Sequence, residues 1–443
     1  PGFRPDPAHM DDEVASDETR LAAESGGQLA PASLVNIALI SFEFPPSVAI
    51  GGIGTYTWNA SRMLAEGGAS VVVFSAGRAD DEETPHPGVS VHRVGVRSRE
   101  DFPEALVPRL LACQQRRLFD VIEATEIGPE GVFAFRAVPT AGRVVKLHTP
   151  SFLVRRFGYA QLGPLARLRF WAGALRRGRW DTLPRANHRR ENDSEYQGIL
   201  LADEIAAPSR DIGRILGREW ALDPARLNFY PLPLYPAPAL LALAPPRERP
   251  ATVGFLGRLE ERKGVVEMAQ AIPAILREVP SLRFRFIGPS LPCRRGDMRS
   301  WIESRLSRHT KSLEFTGPVS PEVVPGELAR CDAIVLPSHW ENFPYSCWES
   351  LLAGRAVIGS SAGGMAEVIE HETSGILVPP YSAKAIARAV VALHNHPGRA
   401  ASLGVAGRAR IQSLLAPERI LPLQMQSYER AIHMARLRQK LPT

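Results

Sequence analysis

VNIALISF at residues 35–42, a loop rich in proline and glycine from Pro45 to Gly54, and TYTWNASRMLAEGG at 55–68 together set the architecture. A nearly continuous apolar run of this length is what a parallel strand covered on both faces requires. Behind the loop, Tyr56, Ala60, Met63 and Leu64 fall at i, i+4, i+7 and i+8, a helical stripe that stops at Gly67-Gly68. Strand, loop and helix in this order open a doubly wound α/β domain. The alternation continues outward through VVVF at 71–74, DVIEA at 120–124 and RVVKL at 143–147. Seven prolines between 231 and 250 then mark a linker. Beyond it the pattern restarts with ATVGFLG at 251–257 and a helix from about Gly264. RFRFIG at 283–288, LEFTG at 313–317, AIVLP at 333–337, AVIGS at 356–360 and GILVP at 375–379 follow. The expected fold class is α/β, with two Rossmann-like doubly wound domains, 34–235 and 236–415, facing each other across a cleft. Residues 416–443 read as a C-terminal helix packing back on the first domain. Ligands in such sheets bind at the carboxyl ends of the strands.

Composition agrees with a globular chain. It has 443 residues, 44% of them hydrophobic and 23% charged, which excludes a disordered or fibrous protein. Four dispersed cysteines (Cys113, Cys293, Cys331, Cys347) form no C-x-x-C pair and read as reduced thiols in a cytoplasmic protein. No apolar run is long enough to span a bilayer. Residues 1–9 resemble a cloning scar before Met10, and the acidic stretch 11–33 completes a tail, 1–33, expected to be disordered. The net charge of +6 is local: residues 151–190 hold ten arginines and one aspartate, and the remainder sums to −3. One basic segment is not a general nucleic-acid-binding surface, so no such partner is expected. Its arginines are interleaved with Phe157, Phe170, Trp171 and Trp180. Three readings stay open: a peripheral membrane contact, a wall for an anionic or lipid-linked acceptor, and a solvated insertion.

Three constellations carry chemistry. Gly51-Gly52-Ile53-Gly54 opens a helix after the first strand, where free N–H groups and the helix dipole attract phosphate. The loop is too long, and its spacing wrong, for a dinucleotide fingerprint. In Gly257-Arg258-Leu259-Glu260-Glu261-Arg262-Lys263-Gly264, Arg258 and Lys263 can both reach one diphosphate. The third is Glu341-Asn-Phe-Pro-Tyr-Ser-Cys-Trp-Glu349 after AIVLP. Pro344 suits the first turn of a helix ending at Gly354. One carboxylate can then meet a sugar while the other accepts from a ribose diol.

In these motifs, taken in order, and in LLAGRAVIGSSAGGMAEVIEHETSGILVPP, the chain resembles the family 4 retaining glycosyltransferases over roughly residues 34–430. The resemblance implies the GT-B fold and transfer of a hexose-type sugar from a nucleotide diphosphate sugar, a UDP-sugar first and a GDP-sugar next, to a hydroxyl acceptor. It implies that Arg258 and Lys263 hold the donor diphosphate, with Gly52 and Ile53 closing over it. It places Glu349 on the ribose, Glu341 on the sugar hydroxyls, the backbone of Phe343, Pro344 and Tyr345 on sugar and phosphate, and the base near Gly288, Pro318 and Val319. His148, in KLHTP, matches a histidine facing the donor sugar, with a helix-capping or core histidine as the alternative. Glu123 and Glu126 are acceptor candidates, as are Arg155 and Arg156. YPLPLYP at 230–236 departs from the family's pattern at the hinge. No Asp-x-Asp exists, so neither a metal nor another cofactor is expected. Two other classes compete: a sugar-nucleotide epimerase on the same fold, and a non-catalytic sugar-nucleotide-binding subunit. An epimerase does not need the Glu341–Glu349 pair, and intact Arg258 and Lys263 disfavour the subunit.

Overall fold

The computed structural model describes residues 35–46, 51–159, 171–172, 190, 193–293 and 296–440. The tail 1–33 and most of the arginine-rich segment lie outside the described residues.

The first sheet contains β1 (Asn36–Ile40), β2 (Ser70–Gly77), β3 (Asp81–His86), β4 (Val89–Gly95), β5 (Val121–Thr125), β6 (Gly142–Lys146), β7 (Glu204–Ala207) and β8 (Leu227–Phe229). Their spatial order is β3-β4-β2-β1-β5-β6-β7-β8, and only the β3–β4 pair is antiparallel. The second sheet contains β9 (Thr252–Leu256) and β10 (Arg283–Ile287). A small hairpin of β11 (Pro292–Cys293) and β12 (Gly296–Asp297) precedes its remaining strands. These are β13 (Leu313–Gly317), β14 (Ala333–Leu336), β15 (Ala356–Ser360) and β16 (Ile376–Val378), all parallel, in the order β13-β10-β9-β14-β15-β16. The chain therefore reverses direction across the sheet twice, between β1 and β5 and between β9 and β14. Such switch points leave a crevice at the strands' carboxyl ends.

The apolar run in β1 is covered on both faces. Ile37 and Leu39 pack with Tyr56, Ala60, Met63 and Leu64 of the helix Gly52–Glu66, while Ala38 and Ile40 face Phe102, Leu106 and Leu110. Each fully buried Ile or Leu side chain among them contributes about 1.5–3 kcal/mol. The first sheet is wider than the periodicity indicated. β3 is DEETPH, an edge strand with no apolar signal, and charges of this kind keep an edge from pairing with another chain.

The C-terminal helix, Pro417–Lys440, lies on the first sheet. Gly142 permits the approach, because a Cβ there would stand 2.7 Å from the Ala431 carbonyl carbon. The two passages of chain between the sheets meet where Leu234 N donates to Leu415 O at 3.0 Å. Glu123, expected to face an acceptor, is a core residue instead. Its carboxylate accepts from the Tyr56 hydroxyl (2.6 Å), the Tyr428 hydroxyl (2.9 Å) and the Gln424 amide (3.3 Å), and only 3% of it is exposed. It ties the C-terminal helix to β5 beneath the crevice and leaves no face for a substrate. Among the described residues no helix is long and apolar enough to cross a membrane.

Removing one donor from a buried carboxylate costs about 1–3 kcal/mol. Tyr428→Phe should lower the unfolding free energy by that amount in urea titrations, and an unchanged midpoint would show that this hydroxyl does not secure the helix.

Candidate active site

The loops after β9 and β14 flank the second switch point and are stitched together. His339 N donates to Arg262 O at 2.8 Å. Gly264 has φ +72, and a Cβ there would stand 1.9 Å from Pro337 O, so both its left-handed backbone and the contact require glycine. A third loop, after β15, wraps the second: Gly364 N donates to Glu341 O at 2.9 Å, and a Cβ on Gly363 would stand 2.0 Å from the same oxygen.

Glu341 is thereby buried among cations. Its Oε1 lies 2.6 Å from Lys263 Nζ and 2.8 Å from Arg262 Nη1. Burial alone would raise its carboxyl, but the charges of Lys263 and Arg262 prevail and hold it below the ordinary carboxylate range. Arg262 was not singled out from the sequence, although it lies within the quoted loop. Its sequence signal is a third cation beside Lys263, which spacing alone does not separate from its neighbour. Arg258 is half exposed and pairs with Glu260 at 3.1 Å.

The next helix is Tyr345–Leu352. Pro344 is its N-cap residue, in extended conformation, and not part of the first turn as expected. Phe343 packs edge-on against Trp348, and the Tyr345 ring lies 4.4 Å from Trp348 between centroids. Glu349, one turn into the helix, is mostly enclosed, and burial pushes its carboxyl up to about 7. Gly288 and Pro318-Val319 stand at the ends of β10 and β13, on the same side of the switch point, where Gly288 N donates to Gly317 O at 3.2 Å.

From the first domain, the helix Gly52–Glu66 begins opposite these elements. A Cβ on Gly52 would lie 3.3 Å from the Tyr345 ring, and Ile53 is half-buried beside it. His148 follows β6. Its backbone N–H donates to Glu126 Oε1 (2.8 Å), its Nδ1 lies 3.1 Å from Lys146 O, and its Nε2 is buried with no hydrogen-bond partner among the described residues. Glu126 therefore braces the His148 loop. Arg156 pairs with Glu219 at 2.6 Å on the surface, and Arg155 is exposed.

Residues on either side of Glu341 face the first domain. The Trp340 indole donates to Asp211 Oδ2 at 2.6 Å, and Phe157 stacks on the Trp340 ring. Asn342 Nδ2 donates to His148 O, and its Oδ1 accepts from Ser209 Oγ at 2.8 Å. Glu367 accepts from the N–H groups of Arg210 (2.9 Å) and Asp211 (3.0 Å), at the start of the helix Arg210–Glu219. None of these cross-domain contacts has a signal in sequence spacing, because their partners are separated by more than 120 residues.

Comparison with known proteins converges on one family. Residues 50–232 match the family described as Glycosyltransferase Family 4, and residues 250–396 match Glycosyl transferases group 1. The chain belongs to the family 4 glycosyltransferases. This glycosyltransferase is 26% identical over 403 residues to a glycogen synthase of Mycobacterium tuberculosis, covering 86% of this chain and 91% of that one. A sucrose-phosphate synthase from Thermosynechococcus elongatus has the same fold, with a TM-score of 0.65 and 22% identity over 90% of this chain and 100% of that one. So does Anabaena Alr3699/HepE in complex with UDP and glucose, with a TM-score of 0.59 and 15% identity over 89% and 99%. The architecture is GT-B.

The raised Glu349 carboxyl gives a pH test. Its folded value of about 7 lies above the ordinary 4.5, so the unfolded chain ionises first and stability falls as pH rises between those values. Glu349→Gln removes that penalty. The variant should match wild type near the acid end and gain on the order of 1–3 kcal/mol at pH 8. Equal stability across the range would contradict the burial of this carboxylate.

Proposed function

We propose that this glycosyltransferase moves a hexose-type sugar from a nucleotide diphosphate sugar to a hydroxyl acceptor with retention at the anomeric carbon, and without a metal. The observation that carries the proposal is the Glu341 carboxylate lodged with Lys263 and Arg262 at the second switch point, opposite the start of the helix Gly52–Glu66. In this reading Lys263 and Arg258 take the diphosphate, and Gly52 and Ile53 cover it from the first domain. Glu349 accepts from the ribose diol. The base lies by Gly288, Pro318 and Val319. Glu341 accepts from hydroxyls of the donor sugar, and His148 Nε2, which has no hydrogen-bond partner among the described residues, faces the same sugar.

The chemistry then needs no enzymic nucleophile. The bond between the anomeric carbon and the diphosphate oxygen breaks, and the acceptor oxygen bonds to the same face. The acceptor's proton passes to the departing phosphate oxygen. Cations and helix N–H groups stabilise the charge that develops there. Glu341, held by a cation and occupied by the donor sugar's hydroxyls, is a poor nucleophile in this reading. A UDP-sugar is the first donor to test, in line with the nucleotide in the Anabaena structure, and a GDP-sugar the second.

A panel of nucleotide sugars followed by product analysis tests the proposal. Slow hydrolysis without acceptor and transfer with one support it, whereas an isomerised sugar would establish an epimerase. Glu349→Ala should weaken nucleoside diphosphate binding by about 1.5–3 kcal/mol. Glu341→Gln should bind the diphosphate nearly as wild type and lose turnover. The reverse pattern in calorimetry and kinetics would exchange the two roles. Activity should also persist in EDTA, and a loss restored by magnesium or manganese would refute metal independence.

A further inference from the structure

The two cations on Glu341 share one oxygen but differ in how they are held. Among the described residues Lys263 makes one ion pair, through a flexible stem. Arg262 is wedged. Its Nη1 donates to Glu341 Oε1 (2.8 Å) and to Trp340 O (3.4 Å), and its Nη2 donates to Glu260 Oε1 (3.0 Å). Its own carbonyl accepts from His339 N at 2.8 Å, and its side chain is only 9% exposed. A planar fork that swings toward a phosphate gives up bonds to Glu341, Trp340 and Glu260, whereas the Lys263 ammonium gives up its pair with Glu341. Lys263 is also the residue placed on the donor diphosphate, so one group is asked to serve two anions.

We propose that Arg262 is the resident counter-ion and positioning residue of Glu341: when a donor diphosphate draws Lys263 away, Arg262 alone keeps the carboxylate charged and aimed at the sugar. The inference rests on the reading of Lys263 as a diphosphate ligand. Both cations bond Oε1, which leaves Oε2 for a sugar hydroxyl. Without Arg262, departure of Lys263 would strand a buried carboxylate, and burial would then favour its protonated form. The charged and titratable groups around Glu341 are Lys263 and Arg262 on its own domain, Glu260 behind Arg262, and His148 with Glu126 beyond Asn342. Lys263 and Arg262 are the charges that hold it low against the effect of burial.

Arg262→Gln and Arg262→Lys test this, with UDP binding by calorimetry and the pH profile of kcat for UDP-glucose consumption. Arg262→Gln is expected to bind UDP within about twofold of wild type, to lose about tenfold or more in kcat at neutral pH, and to move the acid limb of kcat up by about one unit or more. Arg262→Lys, which keeps the charge without the fork, should return the acid limb toward the wild-type position. A Gln variant with wild-type kcat and acid limb overturns the proposal. So does a Gln or Lys variant that loses UDP affinity and turnover in equal measure, because Arg262 would then be a phosphate ligand or a fold element. The parent reading fails separately, in the wild-type arm: a wild-type protein that neither binds nor consumes any nucleotide sugar overturns both.

Discussion

The candidate active site depends on a buried carboxylate that cannot be left alone. Glu341 is removed from water by three loops, and a charge in that position persists only if it is paired and hydrogen-bonded. Lys263 and Arg262 supply the pairing, and their place in the chain is set by strand order. They follow β9, Glu341 follows β14, and these two strands are neighbours at the point where the sheet's winding reverses. The glycines at 264, 363 and 364 are the steric counterpart of the ion pairs, since a Cβ at any of them would meet backbone of a neighbouring loop within about 2 Å. Electrostatics and backbone packing thus impose the same arrangement.

A consequence reaches the other domain. Along 340–342 the side chains alternate, with Glu341 turned to the cations of its own domain and Trp340 and Asn342 turned to Asp211, Ser209 and the His148 carbonyl. Any opening of the cleft that breaks the outer two contacts also loosens the segment that aims Glu341. Glu367 adds to the seam by accepting at the positive end of the helix Arg210–Glu219, where a carboxylate is favoured. The seam between the two domains and the segment that carries Glu341 are therefore one connected unit.

The fold was legible because parallel strands buried on both faces leave a strong trace, as VNIALISF and AIVLP do. The meeting of the loops after β9 and β14 was legible because both motifs follow apolar strand runs, at whose carboxyl ends a doubly wound sheet gathers its loops. Glu123 was misread for a physical reason: sequence shows a carboxylate at a strand's end, but not that Tyr56 and Tyr428, one of them on a helix some 300 residues later, close over it. Arg262 went unnoticed because adjacent cations look alike in a sequence and separate only when packing fixes one of them. The polar edge strand β3 and the contacts of Trp340, Asn342 and Glu367 depend on tertiary neighbours that no local period encodes.

In the proposed donor site, formed by the Gly257–Gly264 loop and the Glu341 loop, cations are divided between carboxylate and phosphate. A crystal structure of the protein with UDP tests it most directly. The expected result is a diphosphate between Lys263, Arg258 and the start of the helix Gly52–Glu66, with Lys263 transferred to phosphate and Arg262 still on Glu341. A diphosphate bound elsewhere, or one bound there while Lys263 stays on Glu341 and Arg262 turns to the phosphate, would contradict it.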